Sequence, residues 1–210
     1  MKVQNRFILS SALALAALAG STSAAPELRD LGFGWQVLLP DADVVDIVVD
    51  EAASNSSQLV LEKFATFMDV SALDLVFTQT GPGAAPRIII TDEYIGNQTG
   101  QSWVSFTNSL VDFSNGSAVF NVGASAGLSI APFTTTTYQA GNTSVTYAGG
   151  MIPNAGFWFP GVAAGALVVD VTFGAGNTSF TLREIPAVPT PGSTALGAAA
   201  IGLLAARRRR

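Results

Sequence analysis

Apolar and polar residues alternate in short bursts through the middle of the chain, and Pro, Gly, Asp or Ser/Asn clusters cut the bursts off. Leu73, Leu75 and Phe77 alternate with Asp74, Val76 and Thr78, the two-residue period of a strand with one buried face. Val104 and Phe106 alternate with Ser105 and Thr107 in the same way. Residues 33–39, 44–49 and 59–67 are apolar runs between breakers, and 87–94 is a β-branched run behind a Gly/Pro loop over 81–86. Further strands are predicted over 118–122, 143–147, 166–173 and 177–182. Roughly nine or ten short strands of this kind predict an all-β fold. The expected architecture is a two-sheet antiparallel β-sandwich, Ig-like or jelly-roll-like. Over 54–68 the pattern also admits a helix.

The asparagine-containing connections repeat. Residues 141–146 (GNTSVT) and 176–181 (GNTSFT) share five of six positions. Asparagine tolerates positive φ, so both are expected to be hairpin turns rather than signs of domain duplication. Asn55, Asn97 and Asn115 also stand in Asn-x-Ser/Thr triplets and are read as turns.

The two ends have a different character. Lys2 and Arg6 precede an apolar stretch over 7–19 and a small, polar segment over 20–25. This is the three-part order of a secretory signal peptide, expected to be helical, with cleavage after Ala24. At the other end Pro189-Thr190-Pro191-Gly192 interrupts any strand and is followed by 14 apolar or small residues over 193–206. As a helix that segment spans about 21 Å at 1.5 Å per residue, short of a hydrocarbon core of about 30 Å. Leu196, Ile201, Leu203 and Leu204 supply its apolar surface, and Arg207, Arg208, Arg209 and Arg210 would stop it from crossing. The expected organisation is a signal peptide over 1–24, a β-domain over 25–186 and a tail over 187–210 that contacts a membrane.

Charge sharpens this picture. The chain holds 10 Lys and Arg against 15 Asp and Glu. Six of the cations lie in the two ends, so the middle carries 4 − 15 = −11. A nucleic-acid binder needs cations against phosphate, and that class is set aside. The sequence has no Cys and no His. Disulfides, thiolate nucleophiles, imidazole bases and His or Cys zinc ligands are excluded together. No cofactor or metal is expected.

Several residue sets still merit testing against a fold. Asp41, Asp43, Asp46, Asp50 and Glu51 supply hard oxygens of the kind calcium takes, but no glycine stands where the helix-loop-helix calcium motif needs one, and a solvated acidic face accounts for them. Asp92 or Glu93 with Asp112 could flank a glycosidic bond. Residues 123–127 (GASAG) fit the letters of a nucleophile elbow, without a histidine to complete a triad. Phe157-Trp158-Phe159, with Trp103 and Tyr147, offers aromatic rings that could either stack on a sugar or fill a core. Trp103 and Trp158 are the candidate ligand-stacking residues.

The C-terminal order of proline motif, short hydrophobic helix and basic cluster resembles the PEP-CTERM sorting signal of bacterial envelopes, in a Planctomycete-type variant. Here Thr190 stands where that family has glutamate between its prolines. The resemblance implies an exported protein handled by an exosortase, a membrane cysteine protease-transpeptidase. Residues 88–103 (IIITDEYIGNQTGQSW) also resemble a strand-turn-strand element of such proteins, in which a tryptophan opens the second strand. Residues 145–150, 167–171 and 180–186 resemble their closing strands. The expectation is a non-enzymatic surface or extracellular-matrix protein of the bacterial cell envelope. A module that binds envelope polysaccharide and a secreted hydrolase are the two alternatives.

Overall fold

The structure, a computed structural model, describes residues 25–41, 44–125, 128–158 and 165–189, with backbone only for 91–93 and 158. The expected signal peptide over 1–24, most of the expected sorting motif (Thr190, Pro191, Gly192) and the whole tail, from Leu196 to Arg210, lie outside the described residues, as does the acidic Asp43. Among the described residues no helix is long and apolar enough to cross a membrane.

Among the described residues thirteen strands build two sheets: β1 (Glu27–Gly32), β2 (Trp35–Leu39), β3 (Val45–Val49), β4 (Leu59–Phe67), β5 (Leu73–Gln79), β6 (Arg87–Asn97), β7 (Trp103–Ser114), β8 (Gly116–Phe120), β9 (Thr135–Tyr138), β10 (Ser144–Ile152), β11 (Phe157–Trp158), β12 (Leu167–Phe173) and β13 (Ser179–Ala187). One sheet has seven strands in the order β1-β2-β5-β13-β7-β10-β9. The other has six in the order β3-β4-β6-β12-β8, with β11 on β6. The all-β expectation holds, and the arrangement is β-sandwich-like. Residues 59–67 form β4, as their apolar run predicts, and not the alternative helix, because Leu59, Leu61, Ala65 and Phe67 are needed at every second position on the buried face. One detail differs from expectation. The six-stranded sheet is not wholly antiparallel, since β4 and β6 run parallel.

Alternation explains the core. In β5 every second residue is buried, and Leu75 and Phe77 face the six-stranded sheet's Leu59, Leu61 and Ile88 in one cluster. Trp35 stands T-shaped on Phe180 at 5.9 Å, and Phe180 stacks on Phe77 at 5.2 Å. Each such ring is worth roughly 1.5–3 kcal/mol of burial. The β1–β2 hairpin closes through Phe33 and Gly34 at φ 49° and 77°, the primed turn that suits strand twist. A Cβ on Gly34 would stand 2.4 Å from the Ala84 backbone, so glycine is required there on two counts.

The turn readings divide. Asn142 takes φ 54° between β9 and β10, as expected of a hairpin, and Asn115 takes φ 52°. Asn177 does not turn a hairpin: β12 and β13 belong to different sheets, so residues 174–178 cross between them. There Thr178 is buried, with its hydroxyl donating to Asn115 O at 2.6 Å. Identical letters serve two jobs.

All four cations of the domain are paired. Arg29 bridges the two sheet edges, bonding Glu27 on its own strand and Asp46 on β3. Arg183 grips Asp74 with two bonds at 2.8 and 2.7 Å across the β13–β5 ladder. Arg87 meets Asp170 at 2.7 Å. Lys63 meets Glu184 at 3.0 Å in the space between the sheets.

The Arg87–Asp170 pair predicts a pH response. The hydrogen bond from Arg87 holds the Asp170 carboxyl below the ordinary aspartate range; partial burial opposes it, and the Asn121 amide adds to it. A depressed carboxyl stabilises the fold above its unfolded-state value of about 3.9 and loses that contribution as pH falls through the lower folded value. The pair is about two-fifths exposed, so roughly 0.2–1 kcal/mol is at stake. Arg87→Met should move the Asp170 midpoint upward in a carboxyl NMR titration.

Candidate functional site

Two features of the fold bear on function: an aromatic strip on the outer face of the six-stranded sheet, and the strand that leads to the tail. The strip forms where β6 carries one extra residue relative to β4. Register passes from Glu62↔Thr91 to Phe64↔Tyr94, so the bulge at Asp92 and Glu93 sets Tyr94 opposite Phe64. β11 then pairs with the far end of β6, placing Phe157 opposite Gly96. The Phe157 and Tyr94 rings lie near-parallel, 27° apart, with centroids at 6.1 Å. Phe157 is 66% exposed. Tyr94 lies over Gly96, where a Cβ would meet its ring and hydroxyl at 3.2 and 3.1 Å. A side chain at 96 would require that ring to give way by a few tenths of an ångström.

The sequence reading named Phe157 within this cluster but not Phe64 or Tyr94. No periodicity signal discloses a bulge, so which residue of Thr91-Asp92-Glu93-Tyr94 would face out was not legible. Trp158 shares β11 with Phe157, and its side chain is not described.

Trp103 is not a stacking residue. Its exposure is 0%, and it packs edge-on against Phe67 at 5.2 Å and near-parallel to Phe106 at 5.9 Å. Tyr147 is buried likewise. Burial of two large rings between the sheets outweighs their use at the surface. What Trp103 does is brace a turn. Its indole N–H donates to Thr99 Oγ1 at 3.2 Å, and Thr99 Oγ1 donates to Asn97 Oδ1 at 2.8 Å. Asn97, itself buried, donates to Gln101 O at 2.7 Å and Pro153 O at 3.1 Å. The strand-turn-strand element expected over 88–103 is therefore present, with β6 continuing past Thr91 to Asn97.

The remaining candidates are dispersed. Asp92 and Glu93 lie on β6 and Asp112 on β7, in different sheets. Asp46 is committed to Arg29, and Asp50 Oδ1 accepts from Ala52 and Ala53 N–H at 3.0 and 3.1 Å. Among the described residues no three carboxylates are grouped to hold a metal. Ser125, the centre of the elbow-like letters, is 3% exposed, and its hydroxyl accepts the Val168 N–H at 3.0 Å. It has a structural partner rather than an open face.

The second feature is β13. It occupies the middle of the seven-stranded sheet, bonded to β5 on one side and β7 on the other. It ends at Ala187, and Val188 packs against the core before Pro189, the first residue of the expected sorting motif and the last one described. The chain matches no protein-family model, no curated protein and no solved structure.

Proposed function

We propose that this is an exported, non-catalytic protein of the bacterial cell surface or extracellular matrix, its domain a sandwich of the Ig-like or jelly-roll-like kind. The helical signal peptide over 1–24 directs export, and the segment from Pro189 to Arg210 sorts or anchors the protein through an exosortase-like enzyme. The tail carries this reading: an apolar stretch that would be too short, as a helix, for a comfortable span, closed by four arginines. Its point of attachment supports it, because the motif begins two residues after the central strand rather than at the end of a loose loop. Mass spectrometry of the mature C-terminus from native envelope tests it. A terminus trimmed or modified near 189–192, on a chain lacking 1–24, is expected. Intact chains running from Met1 to Arg210 in the cytosol would sink it.

The Phe157–Tyr94 pair favours a second reading, a module for neutral envelope polysaccharide. Near-parallel rings on an outer sheet face suit the apolar face of a pyranose, and the net negative domain disfavours acidic glycans. Phe157→Ala should weaken retention on an affinity gel of neutral polysaccharide by about fivefold or more, at an unchanged melting midpoint. Equal retention of both proteins would remove this reading and leave the first intact.

A further inference from the structure

Three polar side chains interrupt the apolar inner faces of three strands. Lys63 on β4 is 1% exposed, and Asn108 on β7 and Glu184 on β13 are 0% exposed. Asn108 and Glu184 are directly opposite one another in the β13–β7 ladder. Directly opposed residues have Cβ atoms about 4.5–5.5 Å apart. Lys63 reaches across from the other sheet, its Nζ 3.0 Å from both Oε1 and Oε2 of Glu184. The Lys63 amine and the Asn108 carboxamide are thus both neighbours of Glu184. Neither Nδ2 nor Oδ1 of Asn108 has a hydrogen-bond partner. A buried carboxamide with four unmet bonds is a costly state that a purely structural role does not explain. Phe106, Leu110, Val145, Leu182 and Leu61 wall the site off from water.

We propose that Lys63 and Asn108 react to form an intramolecular isopeptide bond between Nζ and Cγ, with Glu184 moving the protons. The ammonium proton of Lys63 passes to the Glu184 carboxylate, and the neutral amine attacks Asn108 Cγ. As the new C–N bond forms, the Cγ–Nδ2 bond breaks. Glu184 returns that proton to Nδ2, so that ammonia leaves, and the second proton of the attacking nitrogen passes to the Glu184 carboxylate, giving a neutral secondary amide beside a protonated Glu184. Amine plus primary carboxamide gives secondary amide plus ammonia, with no oxidant, cofactor or second protein. The fold supplies what catalysis requires: both partners adjoin one buried carboxylate, and a dry, low-dielectric setting favours neutral amine and acid over separated charges. The bond would tie the six-stranded sheet to the seven-stranded one in a chain without cysteine. This inference stands apart from the sorting tail and from the aromatic strip.

Trypsin digestion of the folded full-length chain, followed by mass measurement, tests it. An amide on Lys63 blocks cleavage at 63 and joins fragment 30–87 to fragment 88–183. The expected product is one branched species lighter by a single ammonia, about 17 Da, than the two fragments together. Asn108→Asp should form the same link with loss of water, about 18 Da, instead. Glu184→Gln, nearly unchanged in shape, should leave the fragments separate while circular dichroism still reports a β-fold. If Glu184→Gln does not fold, the parent digest decides alone. Free 30–63 and 88–183 fragments at full mass from folded parent protein overturn the proposal.

Discussion

Replacing Lys63 by alanine is expected to lower the folding free energy by at least about 3–5 kcal/mol, read as a large fall in the urea midpoint. Glu184 would be left as a carboxyl at 0% exposure without its cation, deep between the sheets. A domain of this size holds about 5–15 kcal/mol in all, so the loss takes a large share. The paired replacement Lys63→Met with Glu184→Leu separates charge from covalency. For an ion pair alone, apolar substitutes of similar volume are neutral or stabilising by about 1–4 kcal/mol. With the isopeptide bond in place, the same change opens a closed loop of about 45 residues, worth about 4 kcal/mol on a chain-entropy reckoning. The paired variant is therefore expected to be less stable than the parent. A gain in its midpoint would mean that an ion pair is all there is.

Trp103→Ala carries the second large effect, a loss of about 3–5 kcal/mol. The indole fills space against Phe67 and Phe106, and its N–H joins the Thr99–Asn97 network that fixes the turn between β6 and β7. Removing it leaves a cavity and an unanchored turn. Faster amide exchange around 97–103 should accompany the lower midpoint. A midpoint within about 0.5 kcal/mol of the parent, the range of an exposed site, would restore Trp103 to the surface role that its sequence context also admits.

Strands with one apolar face were legible from the sequence. Leu73, Leu75 and Phe77 announced β5, and 59–67 announced β4, because a two-residue period has few other uses. β1 and β9 were not, since both are edge strands with mostly exposed positions, and Thr135–Tyr138 buries no residue fully. Nor was strand order. That β13 inserts between β5 and β7, or that β4 pairs parallel to β6, depends on long-range closure that leaves no local mark. The buried triad left a mark that passed unread. Lys63 follows Leu59 and Leu61, Asn108 follows Phe106, and Glu184 follows Phe180 and Leu182, each a polar residue at an inward-facing position of an apolar face. Which three would meet was hidden, because Lys63 and Glu184 stand 121 positions apart.

The placement of β13 has a mechanical consequence. A pull on an anchored tail acts along the axis of a strand that is hydrogen-bonded on both flanks. Both ladders are then sheared at once, with their bonds strained side by side, whereas traction on the edge strand β1 would peel a single ladder one bond after another. Under the proposed anchoring, tension between cell and surroundings would enter the domain through a strand held on both flanks.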